Sequence, residues 1–201
     1  MINATESEIS IQLSPTELRW CQNHAEEIVE YYGGHGTKGS GTYNHNKISS
    51  NLVGVKSEVA TCRWLKEQDL KIRIEENFKR YKEKGLKGDI QARGKVMEVK
   101  GLRPHQWDKF KRMIPPRQLH YCVRNKSIVV WTTTEGNCKN PEVVLKGWNY
   151  AWEVKQHGEE IRTICDNIWL REDERMRSME TLAAEIMSNT PVNTPKSPQL
   201  L

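Results

Sequence analysis

Apolar residues recur at helical spacing in the first third of the chain and at strand spacing through its middle. Leu18, Cys21, Ala25, Ile28 and Tyr32 fall on one helical face. Ser14-Pro15-Thr16-Glu17 starts that helix, with Ser14 as N-cap, Pro15 in the first helical position and Glu17 closing a capping box. Ile9 to Leu13 predicts a short strand ahead of it. A second helix is predicted over Leu52 to Glu67, with Val55, Val59, Cys62 and Leu65 as its apolar stripe. Glu58 falls inside this stripe, a costly place for a carboxylate unless it is paired or bound to a metal. Arg63 and Lys56 are the partners that a purely structural role would use.

Further along, Lys71 to Ile74 predicts a short strand and Glu75 to Leu86 a charged connector. His105 to Met113 reads as a helix with Trp107, Phe110 and Ile114 on its apolar side, broken by Pro115-Pro116. Another helical turn or two is expected over Arg117 to Arg124. The β-branched run Ser127 to Thr133 predicts a buried strand, and Val143 to Leu145, continued by Gly147-Trp148, a last one. Helices are predicted over Glu159 to Leu170 and Glu172 to Met187. Asn189 to Leu201, rich in Pro, Ser, Thr and Asn, predicts a disordered tail.

Between these elements, Lys87 to Leu102 predicts a β-hairpin turning at Arg93-Gly94. That register pairs Ala92 with Lys95, Gln91 with Val96, Ile90 with Met97 and Asp89 with Glu98. Lys100 shares a face with Glu98, because side chains two apart on a strand point the same way. Carboxylates placed opposite each other repel. A divalent cation removes the repulsion and uses both as oxygen ligands.

The 201 residues suffice for one good core and are few for two. A charged fraction of 28% against 36% hydrophobic suits a polar, soluble domain, and a net charge of +5 mildly favours a polyanionic partner. Cys21, Cys62, Cys122, Cys138 and Cys165 form no close pair in sequence, which argues against a zinc ribbon or a disulfide framework. Their odd number fits a reducing compartment. No apolar run reaches membrane-spanning length, and Met1 to Ser10 is polar rather than a signal peptide, so a cytoplasmic protein with no membrane partner is expected. The Gly-rich stretch Gly33 to Asn46 lacks the Gly-Lys-Ser/Thr ending of a P-loop and reads as a surface loop.

From Leu52 to Trp131 the predicted order is helix, strand, strand, strand, helix, strand. Glu58 lies on the helix, Asp89 at the start of one strand and Glu98-Val99-Lys100 in the next. This arrangement resembles the PD-(D/E)XK nuclease superfamily, over roughly residues 54 to 131. Gly88 stands where that family often has proline, and Gln118 and Tyr121 lie near where some branches carry a Gln and a Tyr on the next helix. The resemblance implies an α/β fold with a mixed α+β sheet: a restriction-endonuclease-like αβββαβ core with extra N- and C-terminal helices. An N-terminal helix and Gly-rich loop would span 1–50, the nuclease core 51–170, a C-terminal helix 171–188 and the tail 189–201. Asp89, Glu98, Lys100 and Glu58 would be catalytic. Mg²⁺ (or Mn²⁺) would be held by Asp89, Glu98, the Val99 carbonyl and Glu58, the last through water or on a second ion.

The implied reaction is hydrolysis of DNA phosphodiester bonds. Arg103, Lys109, Arg112, Arg117 and Gln118 are candidates for contact with nucleic acid, binding phosphates without reading sequence. No recognition helix or zinc module stands out, so an endonuclease directed by DNA structure or context is expected. A Holliday-junction resolvase and a restriction-type enzyme stay open beside it, with RNA the weaker substrate. Two answers of another class are a non-catalytic DNA-binding or assembly protein on the same fold and a metal-binding regulator. Cutting both strands would favour a homodimer by symmetry.

Overall fold

The computed structural model describes residues 8–33, 48–72, 88–110, 112–162, 166–170 and 176–188. In chain order its elements are β1 (Ile9–Gln12), α1 (Pro15–Gly33), α2 (Ile48–Glu67), β2 (Ile90–Ala92) and β3 (Lys95–Leu102). There follow α3 (Pro104–Phe110), β4 (Arg112–Ile114), α4 (Pro116–Arg124), β5 (Ile128–Thr134) and β6 (Glu142–Tyr150). The last are α5 (Ala151–His157), β7 (Glu159–Arg162), β8 (Asp166–Leu170) and α6 (Met179–Met187). The fold class is mixed α/β.

The main sheet runs β1-β6-β5-β3-β2, with β3 and β5 parallel and the other pairs antiparallel. A parallel neighbour requires a crossover, which α3, β4 and α4 supply. Alternation along the strands sorts their side chains into two layers. Met97, Val99, Ile128 and Val130 join Leu52, Val55 and Val59 of α2, together with residues of α1 and α6. Val129 and Trp131 face the other way, against Trp107, Leu119, Cys122, Ala151 and Val154. The sheet is therefore covered by helices on both faces.

Local signals account for the best-formed elements. At the start of α1, Ser14 N donates 2.7 Å to Glu17 Oε2 and Glu17 N donates 3.2 Å to Ser14 Oγ, the expected capping box. Where α2 crosses β3, Gly101 leaves room: a Cβ there would run into Ser57 Oγ and lie 3.0 Å from Val53 Cγ1. That close approach brings Glu58, the next residue after Ser57, to the sheet.

Other elements differ from expectation. The helix predicted over His105 to Met113 ends at Phe110, and Arg112–Ile114 forms a strand. The predicted helix over Glu159 to Leu170 contains the β7–β8 pair; with β4 these form a second sheet in the order β4-β8-β7. Pairing Ile114 with Ile168 and Met113 with Trp169 favours strand over the weak helical spacing. Helix α5 was not expected. Of the helix predicted from Glu172, the described part is helical only from Met179. Arg177 instead bridges Trp148, donating its N–H at 3.0 Å and accepting at 2.9 Å. Lys71 and Ile72 carry no strand. The rest of that predicted strand, the charged connector, most of the Gly-rich loop and the C-terminal tail lie outside the described residues. Among the described residues no helix is long and apolar enough to cross a membrane.

Candidate active site

Arg93 and Gly94 both take positive φ, 47° and 78°. Such a turn twists in the same sense as the strands it joins. The ladder pairs Ala92 with Lys95, Gln91 with Val96 and Ile90 with Met97, as the sequence predicts. The fourth expected pair does not form. Asp89 N donates 2.8 Å to the Met97 carbonyl, although Met97 is already the partner of Ile90. Asp89 is thereby displaced from its place opposite Glu98, and its carboxylate reaches further: Oδ2 accepts a 2.7 Å bond from Val99 N. Gly88 makes the displacement. Its φ is +108°, which a proline could not adopt.

Since β2 has three residues and β3 eight, β3 outruns its neighbour. Beyond Met97, no described strand pairs with it on that side. The Asp89 carboxylate takes the Val99 N–H that the short strand leaves over. Along a strand the N–H and C=O of one residue point to the same side, so the Val99 carbonyl faces this open edge too.

The acids gather there from several elements. Glu98 is buried on β3, and its Oε1 accepts a 2.8 Å bond from Lys100 Nζ. Gln118 of α4 donates from Nε2 to the same oxygen. Glu58 arrives from α2, close enough to interact with Asp89, Glu98 and Lys100. Neither partner of the purely structural reading is turned to it: Arg63 pairs with Glu17 and Glu67, and Lys56 donates to three carbonyls.

Burial and the charges of Asp89 and Glu98 push the Glu58 carboxyl well above the usual carboxylate range, against the pull of Lys100. Burial, then the Glu98 charge, pushes Asp89 up to about 8; Lys100 and the Val99 N–H oppose the rise. For Lys100, burial disfavours the ammonium, but Glu98 and Asp89 outweigh it and hold the group charged. Cys122 lies behind the cluster, and burial together with Glu98 keeps its thiol neutral.

Three carboxyls thus face one ammonium, so the cluster has room for more positive charge. Hard oxygen donors of this kind suit Mg²⁺ or Mn²⁺. Protein donors engage Asp89 Oδ2 and Glu98 Oε1, and the Asp89 and Glu98 carboxyls also hydrogen-bond each other. A cation held by both would take the place of that contact between the two acids. Among the described residues, no three His, Cys, Asp or Glu side chains already stand at metal-binding spacing. The acids fit the cation by charge and donor type.

The basic residues divide. Lys109 and Arg117 are exposed. Arg103 is half-buried and donates 3.1 Å from Nη2 to Ser49 Oγ. Arg112 is a correction: as a strand residue it is fully buried, donating 3.0 Å to Asn149 Oδ1, so it presents nothing to a phosphate. Gln118 belongs with Glu98 rather than with a phosphate surface. Sequence reasoning missed the Asp89–Val99 bond and the proximity of Cys122. A glycine directly before Asp89 was the available signal for the first. No family model, no curated protein and no solved structure matches this chain.

Proposed function

We propose that this protein is a divalent-metal-dependent nuclease that hydrolyses DNA phosphodiester bonds, on a restriction-endonuclease-like αβββαβ core. The observation that carries this reading is the meeting of Glu58, Asp89, Glu98 and Lys100 at the open edge of β3. A folding role alone gives no reason to gather three acids around one lysine, since each raises the cost of ionising the others.

Asp89, Glu98 and the Val99 carbonyl would hold Mg²⁺ or Mn²⁺, with Glu58 reaching it through water or holding a second ion. Bound there, the cation supplies charge neutralisation at the phosphate and a water of lowered pKa. The chain's own groups prepare the place. Lys100 and Gln118 fix the Glu98 carboxylate from two sides, and the Val99 N–H fixes that of Asp89. The Lys100 ammonium, kept charged by its acidic neighbours, orients the attacking water and stabilises charge as it develops on the phosphoryl oxygens. Lys109 and Arg117, with Arg103, contact the backbone without reading bases, which suits selection by DNA structure or context.

The test is cleavage of supercoiled plasmid, linear duplex, single strand and four-way junction by wild type and Lys100→Ala, in Mg²⁺, Mn²⁺ or EDTA. Metal-dependent cutting that the variant loses is expected, and the best substrate names the class. Binding without cutting of either DNA or RNA would point instead to a non-catalytic DNA-binding or assembly protein.

A further inference from the structure

The loop between β5 and β6 is held to α1 and α2 by groups that the acid cluster does not use. Lys56 of α2 is fully buried, and its Nζ donates to the carbonyls of Glu135 at 3.0 Å, Asn137 at 3.2 Å and Asn140 at 2.8 Å. These bonds fix the loop on both sides of Cys138. Cys138, partly exposed, lays its thiol on α1, with Sγ 3.7 Å from the Leu18 carbonyl and 3.5 Å from Gln22 Oε1. Cys21 stands in that same helical turn, fully buried. A helical side chain leans back over the preceding turn, and three residues back from Cys21 is Leu18. Cys21 thus belongs to the turn on which the Cys138 thiol rests, and the two thiols and the Lys56 ammonium are close enough to interact.

We propose that Cys21 and Cys138 form a reversible disulfide that locks the β5–β6 loop to α1. This stands apart from the nuclease reading. With a small-molecule disulfide such as oxidised glutathione as oxidant, the Cys138 thiolate attacks one glutathione sulfur. The glutathione S–S bond breaks, one glutathione thiolate leaves, and a mixed disulfide forms. The Cys21 thiolate then attacks the Cys138 sulfur and expels the second glutathione thiolate. The two protein thiols have lost two protons and two electrons, and the oxidant has become two reduced glutathiones. The exposed thiol reacts first because the oxidant can reach it. The buried one resolves because it sits in the helical turn against which the Cys138 thiol is held, although burial raises its own thiol to about 12 and Lys56 offsets only part of that.

The test incubates the full chain with oxidised glutathione, quenches with acid and maps the peptides by mass spectrometry. A Cys21–Cys138 linked peptide is expected from wild type, reversed by dithiothreitol and lost in Cys138→Ser. In Cys21→Ala the reaction is expected to stop at the Cys138–glutathione adduct. Should the core change in Cys21→Ala prevent folding, the loop variant Cys138→Ser carries the comparison alone. An adduct that persists on wild-type Cys138 without a linked peptide would overturn the proposal, as would linkage of Cys138 to Cys62, Cys122 or Cys165.

Discussion

One oxygen of Glu98 accepts bonds from both Lys100 and Gln118, so this side chain joins the strand to the crossover helix α4. On the proposed function, Glu98→Ala removes a cation ligand and no phosphate contact. It is expected to abolish cleavage while leaving DNA binding, followed by fluorescence anisotropy, largely intact; full activity in this variant sinks the site assignment. Gln118→Ala leaves the acids in place but frees the Glu98 carboxylate to turn, and a loss of about 10- to 100-fold in activity is expected. The pH dependence has a definite sign. The Asp89 carboxyl rises from 3.8 to about 8 on folding, so its contribution to stability is complete below pH 3.8 and is lost as pH rises through 8. Glu58 acts in the same direction. In EDTA the melting temperature of wild type should fall more between acid and mildly alkaline pH than that of Asp89→Asn, and Mg²⁺ should restore wild type alone. Equal slopes for the two proteins would refute the shift. The residues of the candidate cluster were legible because acids on a strand and on an apolar helical stripe are costly enough to stand out. The Asp89–Val99 bond was not, since it depends on where a short strand ends.

At the scale of elements, the hairpin rests on Gly88. A Cβ there would lie 2.7 Å from Val96 Cγ1 and 2.8 Å from the Met97 carbonyl, at a φ that other residues resist. Gly88→Ala should cost roughly 1–3 kcal/mol in chemical denaturation, and activity should fall further because Asp89 follows it directly. An unchanged midpoint would show that the turn adapts. Lys56→Met leaves three carbonyls of the β5–β6 loop without their donor, and a loss of about 3 kcal/mol is expected by the same measurement. Elements with strong local signals were readable in the chain: α1 from its capping box, β5 from its β-branched run, and the hairpin from its two-residue turn. The second sheet was not. Arg112-Met113-Ile114 is too short to show a period and opens on a charged residue, and only its pairing with β8 makes it a strand.

For the whole molecule, the question raised by the proposed function is how a chain of modest positive charge would meet a polyanion. With Arg112 buried, the described candidates for phosphate contact reduce to Arg103, Lys109 and Arg117. The double variant Lys109→Ala, Arg117→Ala should therefore weaken binding alike for all DNA sequences and lower the slope of log K against log salt by about 2. A sequence-dependent loss would mean that these residues read bases. The β5–β6 loop wraps its carbonyls around an ammonium much as other loops wrap around calcium, but this cation is covalently part of α2. A chelator would withdraw an ion held by the acid cluster and has no means of withdrawing Lys56. On the proposed function, activity and architecture are anchored by cations of two kinds, one exchangeable and one inherited with the sequence, and EDTA should silence the first without loosening this loop.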